Sequence, residues 1–160
     1  MTMKWLDLLL LPPILLLTGG LLLNRPPLLS PPGLIDRLKT YLTTNVAQTR
    51  PDHGFPELRP PLVPAGEEAT RDAVLTAMRT LGWREIRSVD GEIRAVVVSS
   101  VFRFRDDLTL RLEPAAGGTR LHARSTSRVG RGDLAANARH LQALFAEVDR
   151  LVVPEGRRGP

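Results

Sequence analysis

The chain reads as an α+β, two-layer sandwich: a four-stranded antiparallel meander covered by two helices, in the order αββββα, preceded by a membrane segment. Three observations predict it. Apolar residues alternate with period two over 107–113 and 119–128, which marks strands with one buried face. Helical periodicity flanks the strand region on both sides, and such a meander needs cover for its apolar face. A leucine block sits at the amino end, with 13 of the 28 leucines in residues 1–29.

Residues 1–23 are expected to form an uncleaved membrane anchor. Leu8–Leu23 carries no charge, and the 19 residues from Trp5 would extend about 28 Å as a helix, near the thickness of a hydrocarbon core. Asp7 at its edge and Pro12-Pro13 inside weaken a spanning helix. A cleaved signal is the competing reading, with Lys4 in the n-region, Leu8–Leu17 as h-region and Thr18-Gly19-Gly20 as exit. Residues 24–66 follow as a Pro-rich tether and ordered strap. Leu34, Ile35, Leu38, Tyr41 and Leu42 share one face of a short helix, with Asp36, Arg37 and Lys39 opposite. Pro51, Pro56, Pro60, Pro61 and Pro64 exclude regular structure beyond it, while Phe55, Leu58, Leu62 and Val63 call for packing over the domain.

The globular part spans 67–153. Glu67 and Glu68 suit a helix start; Ala73, Val74, Ala77, Met78 and Leu81 line one face, and Gly82 stops it. Strands are predicted over Trp83–Val89, Glu92–Phe102, Asp107–Glu113 and Thr119–Arg128. Asp90-Gly91 supplies a two-residue hairpin and Pro114–Gly118 a turn. Asp133 caps a last helix carrying Leu134, Asn137, Leu141, Leu144, Val148 and Leu151, and residues 154–160 form a frayed tail. The expected core is Leu108, Leu110, Leu112, Leu121, Val97, Leu141, Leu144, Val74 and Met78.

Composition narrows the chemistry. The formal charge is +5 and aromatics are 4%, which argues against a nucleic-acid binder with a base-stacking platform. Without cysteine, thiolate metal sites, disulfides and thiol nucleophiles are out. His53 and His140 read as surface or capping residues with no metal spacing around them, and no serine has a nearby His–acid relay. Asp106 and Asp107 are neighbours on a strand, so they point to opposite faces and do not make a catalytic carboxylate pair. No catalytic residue, cofactor or metal is expected.

One stretch resembles a known family. Phe102-x-Phe104-x-Asp106-Asp107, followed by Arg124-Ser125-x-Ser127-Arg128-x-Gly130-x-x-Asp133-Leu134-x-x-Asn137, is similar to the bacterial and plastid family of domain of unknown function 1499. Asn45-Val46 and Leu58-x-Pro60-Pro61-Leu62 resemble its upstream signature. The chain departs from the family pattern with Val46 where Cys is common and Ala135 where Gly is common. The resemblance implies no activity, but does imply an amino-terminal signal or anchor.

The same stretch holds the candidate site. Arg124, Arg128 and Arg131 supply forked donors, while Ser125, Ser127 and the Gly130–Asp133 turn at a helix start have the parts of an anion site. A structural clamp is the competing reading: Arg128 held by Asp107 or Asp133, and Asn137 tying down the turn. The expected function is a membrane-tethered, non-catalytic cell-envelope domain that binds a protein or anionic partner through the Arg-rich strand face. An apolar-ligand carrier or enzyme with a cavity between sheet and helices is the alternative, and an assembly module a third reading.

Overall fold

The computed structural model describes residues 5–99 and 103–152, with side chains from residue 11 onward. The expected tail at 154–160, Lys4 and Phe102 lie outside the described residues. The described residues hold four α-helices: α1 (Trp5–Asn24), α2 (Leu34–Thr43), α3 (Glu67–Thr80) and α4 (Ala136–Val152). The strands are β1 (Val46–Gln48), β2 (Leu62–Val63), β3 (Arg84–Val89), β4 (Glu92–Val98), β5 (Arg105–Ala115) and β6 (Gly118–Ser127).

The meander β3–β4–β5–β6 is antiparallel throughout, and α3 and α4 cover one of its faces. The sheet nevertheless has six strands, not four, in the order β1-β6-β5-β4-β3 with β2 also on β6. Both extra strands come from the strap. β1 pairs with Arg124–Thr126 and β2 with Thr119–Arg120, so two short pieces share the outer edge of β6. Between them the Thr49 hydroxyl accepts the Ala123 N–H at 2.8 Å and the Thr49 N–H donates to the Ala123 carbonyl at 2.9 Å. A side chain thus completes the ladder where proline prevents a third strand. β4 ends at Val98 and not at Phe102.

The core lies between sheet and helices. Ile93, Leu108, Leu110 and Leu121 face Val74, Met78, Leu141, Leu144 and Val148, all buried, and every expected core residue is buried. Phe55, Leu58 and Val63 of the strap join them, while Leu62 stays exposed. Replacing Leu110, which is fully buried, by Ala should cost about 2–5 kcal/mol in a denaturation series. A loss below about 0.5 kcal/mol would contradict the inward face assigned to β5.

The buried face of α2 differs in part from the expected one: Tyr41 is buried as expected, but Arg37 joins it from the side read as polar. Leu34, Ile35 and Leu42 are exposed, Ile35 to 81%. The cause is Glu57, in the 3₁₀ turn Pro56–Leu58: its carboxylate takes two bonds from Arg37, at 2.6 and 3.0 Å. That ion pair turns the polar residue inward and the leucines out.

Among the described residues no helix is long and apolar enough to cross a membrane. The expected span is thereby reduced. α1 carries Pro12 and Pro13 in its interior, which remove two backbone donors from the helix.

Candidate functional site

Strand alternation divides the candidate residues of β6 between two sides of the sheet. Ser125 and Ser127 sit on the helix-facing side, with Ser125 fully buried. Arg124 lies on the other side, opposite Thr109 and Gln48. Arg128 follows β6 and forms two hydrogen bonds to Asp107, at 2.9 and 2.7 Å. Arg131 is exposed in the turn. The arginines and serines therefore do not line one anion pocket.

The inward group is a closed knot around Asn137, which is fully buried. Ser125 donates to its Oδ1 at 2.5 Å. Its Nδ2 lies 2.8 Å from the Asn45 carbonyl, 2.9 Å from Ser127 Oγ and 2.7 Å from Asp133 Oδ2. Asn45 in turn donates to the carbonyls of Ser127 and Gly130. Gly130 adopts φ +94°, and at Gly132 a Cβ would strike the Leu42 carbonyl, so the turn requires both glycines. Asn137 does tie the turn down, and its anchor is the start of β1.

Asp133 accepts the N–H groups of Ala135 and Asn137, at 2.9 and 3.0 Å. The helix starts at Ala136 and not at Leu134, because Leu134 and Ala135 have φ +51° and +70°. Ala135 thus occupies a conformation that glycine adopts more easily, at the position where the chain departs from the family pattern. With its first N–H groups taken by Asp133, the end of α4 is filled from within. Burial, against these bonds, raises the Asp133 carboxyl above its ordinary value.

The outward side is different. The helices α3 and α4 pack on the opposite face, and register places Arg87 opposite Arg94, Arg111 between Glu92 and His122, and Arg120 opposite Glu113. Glu85, Arg87, Arg94, Asp107 and Arg128 line a groove of about 340 Å³ there. Asp107, Glu92 and Glu85 are engaged by Arg128, Arg94 and Arg105, and Glu113 lies 2.8 Å from His122. Arg87, Arg111, Arg120 and Arg124 make no salt bridge among the described residues. Arg87 and Arg94 were not singled out as site residues from the sequence. Alternation in β3 and β4 marks both as outward, but only the register shows that they face each other and join the β6 arginines.

The Arg128 bonds hold the Asp107 carboxyl below its ordinary range. Both side chains are nearly half exposed, 43% and 45%, so the pair fixes geometry more than it stabilises. Arg128→Ala should leave the thermal midpoint close to that of the parent, while an NMR titration finds Asp107 nearer the ordinary carboxylate value. A large drop in the midpoint would instead make Arg128 a clamp of the fold.

A second pair escaped sequence reasoning. Asp106 is buried on the inner side, with its Oδ2 3.6 Å from Nδ1 of His140, which stacks edge-on against Trp83. Burial lowers the His140 pKa, although Asp106 acts in the opposite sense. His140 is thus mostly buried between Asp106 and Trp83. His53 accepts the Phe55 N–H at 2.9 Å and serves as a local cap.

The family described as protein of unknown function (DUF1499) matches residues 31–148, and the chain belongs to it. The match begins in the strap, ahead of β1, and ends within α4. No curated protein and no solved structure matches.

Proposed function

Since membership of this family brings no activity with it, we propose a role from the residues: a membrane-tethered, non-catalytic domain of the cell envelope that binds an anionic partner on the open face of its sheet. The observation that carries this is the set of four arginines, Arg87, Arg111, Arg120 and Arg124, that make no salt bridge among the described residues, on the sheet face opposite α3 and α4. A sheet face facing water needs polar residues, but alternating charges would serve. Placing Arg87 directly opposite Arg94 sets like charges together, which opposes folding and suits an incoming anion.

Tethering rests on α1. Leu11, Ile14, Leu15, Leu16, Leu22 and Leu23 are each at least half exposed, and Leu29 and Ile35 nearby exceed 80%. A helix apolar on all sides is stable where something apolar surrounds it, and a bilayer supplies that. For an apolar-ligand carrier the support is weaker, because the groove lies on the outer face and Phe104 is 53% exposed.

The binding reading is tested on a polyglutamate column. The protein should be retained at low salt and released as salt rises. An Arg87→Ala/Arg124→Ala variant should elute at markedly lower salt, while Arg79→Ala, on the exposed side of α3, should elute with the parent. Coincident elution of all three would refute the sheet-face reading.

A further inference from the structure

The two ends of the sheet differ. The β3–β4 and β5–β6 hairpins close one end, near Val89 and Gly117. At the other end lie the residues on either side of β5 and β6, where the Arg128 N–H donates to the Arg105 carbonyl at 3.1 Å. This second end carries Phe104, 53% exposed, and Val129, 69% exposed. Arg103 and Arg131 flank them, both exposed and neither in a salt bridge among the described residues.

α1 arrives at this same end. The Asn24 side chain donates to the Leu134 carbonyl at 2.8 Å, and Arg139 bonds the Leu23 carbonyl. Gly20 packs so closely on Leu134 that a Cβ there would collide with it. Leu134 follows the Arg128–Asp133 turn directly. Arg25, the next residue after α1, is exposed and adds a third cation that makes no salt bridge among the described residues.

We infer that this end of the sheet is a membrane-facing tip: Val129 and Phe104 enter the interface of an anionic bilayer, and Arg25, Arg103 and Arg131 meet lipid phosphates. The inference rests on the tethering reading above and adds an orientation to it. Its grounds are the juxtaposition of the exposed leucines of α1 with two exposed apolar side chains, and the positive ring around both. Apolar side chains at an interface with arginines at headgroup depth are the pattern of proteins that lie on anionic membranes. The arginine face of the sheet then stands away from the lipid plane, free for its own partner.

The chain has no cysteine, so a single introduced thiol labels uniquely. Full-length Val129→Cys, carrying a polarity-sensitive fluorophore, is mixed with vesicles of phosphatidylcholine alone or with phosphatidylglycerol added. Val89→Cys at the opposite end is the control. The expected result is co-sedimentation, with a blue shift at position 129 that is larger on the anionic vesicles, and none at position 89. Arg103→Glu/Arg131→Glu in the Val129→Cys background should abolish the anionic preference of the shift. Co-sedimentation without a shift at 129 would overturn the tip while leaving the tether. Equal shifts at both positions would overturn the orientation. A shift at 129 that grows with protein concentration in the absence of vesicles would assign the tip to a second copy instead. Failure to sediment with any vesicle would remove the tether, and the tip with it.

Discussion

Arg37→Ala is expected to lower the unfolding free energy by about 3–5 kcal/mol, the range for removing one partner of a buried ion pair. Arg37 is fully buried, and each of its five N–H donors has an acceptor. They are the Ser30 and Pro31 carbonyls, the Tyr41 hydroxyl and both Glu57 oxygens, at 2.6–3.0 Å. The guanidinium also lies 4.3 Å over the Phe55 ring. The variant would strand Glu57, which is only 19% exposed, and free the start of the strap. Arg37→Met/Glu57→Leu should recover much of the loss, since a buried pair replaced as a unit is often neutral.

The pH dependence of that variant gives a separate check. Burial is the largest single influence and pushes the Glu57 carboxyl up, but the Arg37 bonds and charge, a backbone bond and nearby His53 together hold the group below its ordinary value of 4.5. The folded pKa is depressed, so this group's stabilisation is complete above 4.5 and is lost as pH falls through the folded value. In Arg37→Ala burial is opposed only by the backbone bond of Glu57 and by nearby His53, and the folded pKa rises. The contribution then shrinks, and the variant loses less stability than the parent on acidification through that range. Parallel stability–pH curves for the two proteins would contradict the pair.

The second large effect is at Asn137. Its two amide hydrogens face three acceptors, Asn45 O, Ser127 Oγ and Asp133 Oδ2, so the network is fully used and shared. Asn137→Ala would leave the Ser125 hydroxyl, in a fully buried residue, without its acceptor, and would detach β1 from the start of α4. A loss of about 2–4 kcal/mol is expected, from two or more buried groups left unpaired. Asn137→Asp keeps the shape but sets a second carboxylate against Asp133, so it should be worse at neutral pH and recover on acidification. If both variants match the parent in urea denaturation, the knot is dispensable.

The meander and its two helices were legible because their signals are local. Leu108, Leu110 and Leu112 alternate within seven residues, and Asp90-Gly91 marks its own turn. β1 and β2 were not legible. They are three and two residues long, and their partners lie well over fifty residues away on β6. No window of sequence holds that information. The α2 face was misread for a related reason: leucine periodicity ranks Leu34 and Ile35 as interior, while Arg37 is drawn in by Glu57, twenty residues on. At the site, Arg124 and Arg128 were visible from β6 alone. That they share an open face with Arg87 and Arg94 depends on register across three strands.

The two short strands on the edge of β6 also fix an order of events during synthesis. Val46–Gln48 and Leu62–Val63 emerge early, yet β6, their partner strand, is complete at Ser127. Until then Phe55, Leu58 and Val63 lack the β6 edge and its core to pack on. The meander closes through neighbouring hairpins, whose short loops make it fast, and the strap docks afterwards by a long-range closure. The part of the domain nearest the amino end is therefore the last to be fitted, and a ribosome stalled before β6 would present it unfolded.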